Sequence, residues 1–133
     1  MKEENKTKSL LKIAEQMGVS AAETHLFLCV GPDCCSEAEG MESWGALKRA
    51  HKERFPKLSE AGIYRTKVGC LRICKQGPIA VAYPQGKWFH SVTPDQVEGI
   101  LDYLQNGTTG KHPLEFLDHP LKGSDGIQEI EQD

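Results

Sequence analysis

Apolar residues recur along this chain with two different periods, and the changes from one to the other mark out its elements. From Ser9 to Met17 the apolar positions are Leu10, Ile13, Ala14 and Met17, the spacing of one helix face, and Gly18 supplies a stop. This predicts a short helix packed on the rest of the protein. His25 to Val30 is a brief apolar run closed by Gly31, Pro32 and Asp33, which predicts a buried strand that delivers Cys29 to a turn. Helical spacing returns with Met41, Trp44, Leu47, Lys48, His51 and Phe55 and stops at Pro56, predicting an amphipathic helix whose apolar stripe covers a sheet.

Ile63 to Val68 alternates as a second strand, and Gly69 to Gly77 follows as a loop. Ile79 to Tyr83, the turn Pro84-Gln85-Gly86, and Lys87 to Val92 predict a hairpin, with one of Trp88 and Phe89 facing inward and the other outward. Thr93-Pro94-Asp95 is a helix start in which the hydroxyl caps, Val97, Ile100, Leu101 and Leu104 form the buried stripe, and Asn106-Gly107 closes it. The order strand, helix, strand, hairpin, helix predicts an α/β protein, a small mixed β-sheet flanked by helices, compatible with a thioredoxin-like fold.

A chain of 133 residues buries a core without needing disulfides, and its five cysteines are an odd number. No run approaches a membrane span and no apolar leader follows the charged start, so the expectation is a protein of the reducing cytoplasm, with its cysteines available as metal ligands or redox groups. The net charge of −3 is uneven. Residues 115 to 133 hold six acidic side chains against Lys122 alone, leaving fifteen basic and thirteen acidic ones in residues 1 to 114. This is no footprint for nucleic acid. The division it suggests is an extension with a short helix over 1–24, a domain over 25–110, and an acidic tail over 111–133 that reads as a poorly ordered end. Arg65, Lys67, Arg72, Lys75 and Lys87 lie near one another in sequence and could form a basic rim for an acidic partner.

The cysteines carry the candidate chemistry. Cys29 and Cys34 form C-x4-C, Cys70 and Cys74 form C-x3-C, and thirty-five residues separate the pairs. Two close pairs so far apart describe a metal or cluster site assembled by folding. Cys35 directly follows Cys34, so a C-x5-C pair is also open, with Cys34 preferred. Four thiolates suit iron with sulfide, and they also suit a structural zinc. No C-x-x-C pair exists for thioredoxin-type disulfide exchange. His25 and His90, on expected strands, could in principle replace a cysteine.

The segments Leu26-Phe27-Leu28-Cys29-Val30-Gly31-Pro32-Asp33-Cys34 and Gly69-Cys70-Leu71-Arg72-Ile73-Cys74-Lys75-Gln76-Gly77-Pro78, with the hairpin Val81 to Phe89 and the helix start Thr93 to Val97, resemble the thioredoxin-like [2Fe-2S] ferredoxins. They are also similar to the cluster domain of the small flavoprotein-associated subunit of respiratory complex I. The resemblance runs from about His25 to Gly107. It implies a [2Fe-2S] cluster with one iron held by Cys29 and Cys34 and the other by Cys70 and Cys74, with Cys35 as the alternative to Cys34. It further implies one-electron transfer to redox partner proteins without substrate turnover, and a homodimer. Gly31, Gly69 and Gly77 are expected to let backbone amides approach the sulfurs. The competing readings are an interaction module in which four cysteines hold a structural zinc, or a cluster-bearing sensor or subunit of a larger oxidoreductase. Only 24 residues precede His25, which favours a free-standing carrier.

Overall fold

The computed structural model describes residues 2–73 and 75–122. Helix α1 (Lys2–Met17) leads to strand β1 (Thr24–Cys29), helix α2 (Glu37–Arg54) and strand β2 (Ile63–Val68). Strands β3 (Ala80–Tyr83) and β4 (Lys87–Phe89), helix α3 (Val97–Gln105) and strand β5 (Glu115–Asp118) follow. The five strands form one sheet in the order β2-β1-β3-β4-β5. β1 and β2 are parallel, whereas β1–β3, β3–β4 and β4–β5 are antiparallel.

Strand alternation sets the two faces. Leu26 and Leu28 of β1 point to one side, where they meet Ala80, Ala82 and Phe89 of the neighbouring strands and the stripes of both helices, Trp44, Leu47 and Ala50 from α2 and Val97, Ile100 and Leu101 from α3. Phe89 and Leu101 are fully buried, and a buried side chain of this size stabilises by roughly 1.5–3 kcal/mol. Phe89 is inward and Trp88 half-exposed, as the hairpin pattern predicts.

α2 starts earlier than its apolar stripe does, because Ser36 caps it. The Ser36 hydroxyl accepts the Glu39 amide at 3.1 Å while the Glu39 carboxylate accepts the Ser36 amide at 3.2 Å, a reciprocal box that satisfies two otherwise unpaired donors. Thr93 does not cap α3. Its hydroxyl bonds the Asp95 carboxylate, and a 3-10 turn over Pro94–Gln96 precedes the helix.

Two expectations change. α1 extends well beyond Ser9–Met17, and its apolar stripe is not packed away: Leu10 is 66%, Leu11 59% and Ile13 54% exposed. Its end rests on the 3-10 turn Leu58–Glu60, where Gly18 at φ +91° sits against the Leu58 carbonyl. The start of the acidic end also departs from expectation. Residues 115–118 are an edge strand, with Lys87 paired to Asp118 and Trp88 to Leu117. Glu115 is buried, with Tyr103 Oη donating to it at 2.7 Å and Lys87 Nζ at 3.6 Å, while Lys87 also reaches Asp118 at 2.8 Å. Burial and then the Glu115 contact push the Tyr103 phenol above its ordinary pKa. The Asp118 bond does the same for the Lys87 ammonium. This network pins the strand. Residues 123–133 lie outside the described residues.

Candidate metal centre

Cys29 is the last residue of β1, one position past Leu28, so alternation turns it away from the helix-covered face. There it joins Cys34 and Ile79 in a second, smaller buried cluster, with Cys35, Val68, Leu71 and Trp88 packed around it. The strand ends hold this cluster in place: the Cys29 amide donates to Ile79 O at 2.8 Å and the Val30 amide to Val68 O at 2.9 Å.

After β1 the chain turns at Gly31, φ +90°, where any Cβ would overlap the Cys35 carbonyl. The turn carries Cys34 back over Cys29. Their Sγ atoms meet in a disulfide contact at 2.50 Å, with the Cα atoms 7.1 Å apart. Relaxed disulfides span Cα separations of about 4.4–6.8 Å, so the backbone places this pair wider than a bridge prefers and aims both sulfurs at one point. Cys35 Sγ stands 3.6 Å from Cys34 Sγ. Burial first, then the Glu39 charge, raises the Cys35 thiol pKa, which keeps it protonated and weakly nucleophilic.

The second loop begins at the carboxyl end of β2, the parallel neighbour of β1, so both cysteine loops emerge at the same pole of the sheet. Gly69 O lies 3.7 Å from Cys29 Sγ. Cys70 is exposed, and the Arg72 amide donates to its Sγ at 3.2 Å. Cys74 lies outside the described residues, and among the described residues no three His, Cys, Asp or Glu side chains gather at one point. The loops are nevertheless laced together. The Gly77 amide donates to Cys34 O at 3.0 Å, and a Cβ on Gly77 would come within 2.8 Å of Cys34 Cβ.

The glycines therefore act differently from expectation. Gly31 and Gly77 let backbone pass close to backbone, Gly69 borders open space among the described residues, and the amide aimed at sulfur belongs to Arg72, itself at φ +70°. Nothing in the Leu71-Arg72 pair announces that conformation. Among the described residues, neither histidine joins a cysteine. His25 pairs with Thr66 Oγ1 at 2.7 Å and stacks on Phe27, and His90 engages the Ser91 hydroxyl at 2.9 Å.

The five cations do not form one rim. Arg65 on edge strand β2 lies over the Trp44 ring, 5.1 Å from its centroid, on the helix-covered side, and Lys87 on β4 is taken up by Asp118 and Glu115. Arg72 and Lys75 are exposed in the second loop with Ile73 at 39% exposure, and Lys67 is exposed near the end of β2 that leads into it. No acidic residue occurs between Ala61 and Pro94, so this side of the centre is electropositive.

Two cysteine-bearing segments at one pole of a mixed sheet, backed by two helices, define a thioredoxin-like domain. Known proteins agree with that class. A thioredoxin-like [2Fe-2S] ferredoxin structure from Aquifex aeolicus superposes with a TM-score of 0.60 at 26% identity, covering 75% of this chain and 96% of the other. A 2Fe-2S ferredoxin sequence from the same organism is 29% identical over 103 residues, 70% of this chain and 86% of that protein. One from Clostridium pasteurianum is 50% identical over 44 residues, a match spanning 32% of this chain and 43% of that protein. No protein-family model matches. In sequence and in fold the chain is similar to the thioredoxin-like [2Fe-2S] ferredoxins.

Proposed function

We propose that this protein is a one-electron carrier whose [2Fe-2S] cluster is held by Cys29, Cys34, Cys70 and Cys74. The observation that carries the reading is the lacing of the two cysteine loops at the carboxyl ends of adjacent parallel strands, with Cys29 and Cys34 aimed at one point. The donor set fits the group. All four are soft thiolates, the complement of a two-iron cluster, and the cysteine cluster around Ile79 is already shielded from water. When bound, the cluster supplies one reversible electron.

The chain's own residues do the rest. Ile79, Val68, Leu71 and Trp88 exclude water from the first pair. The Arg72 amide stabilises negative charge on Cys70 Sγ, which favours the more reduced state. Cys34 is the ligand of the first pair in this reading and Cys35, its Sγ 3.6 Å from that of Cys34, is the alternative. The exposed second loop, with Lys67, Arg72, Lys75 and Ile73, forms the docking face for an acidic redox partner.

The domain organisation belongs to the same reading, with an extension over 1–24, a cluster domain over 25–110 and an acidic end over 111–133 that begins by completing the sheet. So do a homodimer, the cytoplasm as the working compartment and the lack of substrate turnover. Among the described residues no helix is long and apolar enough to cross a membrane. The test is the visible and EPR spectrum of anaerobically purified protein before and after dithionite, with iron, sulfide and zinc assayed on the same sample. A brown protein that bleaches to a spin-one-half signal, with two irons and two sulfides per chain, is expected. Stoichiometric zinc in a colourless protein that resists reconstitution would replace this reading with a scaffold site.

A further inference from the structure

At the pole opposite the cysteines, where α2 ends and β2 begins, a cavity of about 350 Å³ opens between Lys48, Arg49 and Lys52 of the helix and Arg65 of the strand. Phe55 and Leu58 supply its apolar wall. The charge here is uncompensated. The neighbouring cations are all taken up: Arg54 by Glu98 and Asp102 at 2.8 and 2.7 Å, and Lys57 by Glu60 at 3.2 Å. Among the described residues, by contrast, no carboxylate comes within ion-pair distance of Lys48, Arg49, Lys52 or Arg65.

Arg65 is also held for use. Its guanidinium lies over the buried Trp44 ring, and its Nε is buried with no hydrogen-bond partner, a donor that folding leaves unsatisfied at a cost. The C-terminal dipole of α2 opposes an anion here, but its half charge is small beside four full cations. His51, buried between helix and strand, donates Nε2–H to Ile63 O at 2.6 Å, and burial holds it neutral, so it adds no charge to the site.

We propose that this cavity binds an amphipathic anion, a carboxylate, sulfate or phosphate attached to an apolar body, with the head at Arg65 and Lys52 and the body against Phe55 and Leu58. Two sources have that chemistry. One is a free small anion; the other is the chain's own end, where Ile127 and Ile130 stand among Asp125, Glu129, Glu131 and Asp133.

The test is a titration of the full-length, cluster-loaded protein with octanoate, followed by amide NMR shifts, with inorganic phosphate as the comparison. Saturable shifts confined to residues 48–58 and 65, weakened by salt, are expected. Loss of one charge-assisted contact in Arg65→Met should weaken binding about tenfold. Lys52→Met, whose exposed side chain leaves packing untouched, should weaken it in the same direction without changing the melting temperature. The chain ending at Lys122, which retains every described element, separates the sources. Tighter octanoate binding in that chain assigns the site to the acidic end; unchanged binding assigns it to a free anion. Absence of saturation, affinity unaffected by both substitutions, or phosphate binding as tightly as octanoate would each overturn the proposal.

Discussion

Gly77→Ala should separate the folding of this domain from the assembly of its centre. The added methyl would stand 2.8 Å from Cys34 Cβ and overlap the Cys34 carbonyl, to which the Gly77 amide donates. Carbon atoms settle at about 3.5–4.0 Å, so the two loops must part by roughly 0.7 Å or more. Forcing atoms into such a packed contact costs about 1–3 kcal/mol, and the lost hydrogen bond adds about 1 kcal/mol. The helix-covered core, on the other face of the sheet, is untouched. A ligand displaced by that amount falls outside the roughly 0.2 Å tolerance of metal–ligand distances. Gly69→Ala is the matched control, because among the described residues a methyl there meets nothing within 4 Å; with fewer unfolded conformations it should be neutral or slightly stabilising. Urea unfolding of the chelator-stripped proteins and iron and sulfide content after identical reconstitution give the two readouts. The expected result is apo-protein destabilised by about 2–4 kcal/mol with little cluster for Gly77→Ala, and wild-type values for Gly69→Ala. Equal loading of the two variants would refute the account of loop lacing.

Cys70→Ser or Cys74→Ser should abolish or badly destabilise the cluster while Cys35→Ser loads near normally, as read by sulfide content; loss in Cys35→Ser would move the ligand role away from Cys34. Lys87→Met leaves Glu115, whose side chain is 4% exposed, without its cation, and should cost about 3 kcal/mol in chemical denaturation; a change below the error of the midpoint would mean that β5 is not pinned by this pair. His51 has its pKa lowered by burial, so its unfolded form, with pKa about 6.5, takes up protons first. Its share of stability is therefore complete above that pH and is lost progressively as pH falls below it, a slope that His51→Gln should flatten in pH-dependent melts. Replacing Lys67, Arg72 and Lys75 together by Gln should slow oxidation of the reduced protein by anionic ferricyanide and speed that by hexaamminecobalt(III) in low-salt stopped flow; equal effects on both oxidants would remove the electropositive face from the account.

Much of this fold is legible in the residues. β2 runs over Ile63–Val68 as its alternation predicts, and the hairpin turns at Pro84-Gln85-Gly86. Cys29 and Cys34 are legible as neighbours because a single turn separates them, whereas Cys74 lies outside the described residues. What escapes the pattern depends on distant partners. β5 offers only Glu-Phe-Leu-Asp amid acidic residues, and it becomes a strand because Tyr103 and Lys87 receive its buried carboxylate. The proposed basic rim dissolves because strand order carries Arg65 and Lys87 apart, which sequence proximity cannot show. The early start of α2 is a different matter, since Ser36 and Glu39 announce the capping box in the sequence itself.

The sheet has a polarity with practical use. Thr24 at the start of β1 accepts a hydrogen bond from Gln85 in the hairpin turn, and the His119 amide just past β5 returns to Gly86. The connection from α1 and the exit from β5 thus leave the domain side by side, while Cys29, Cys34 and Cys70 lie at the far pole. A tether placed at either end of the chain, to an electrode, a bead or a fused reductase, would hold the molecule with its redox pole outward, so electron-exchange rates on a surface should depend little on which end is anchored.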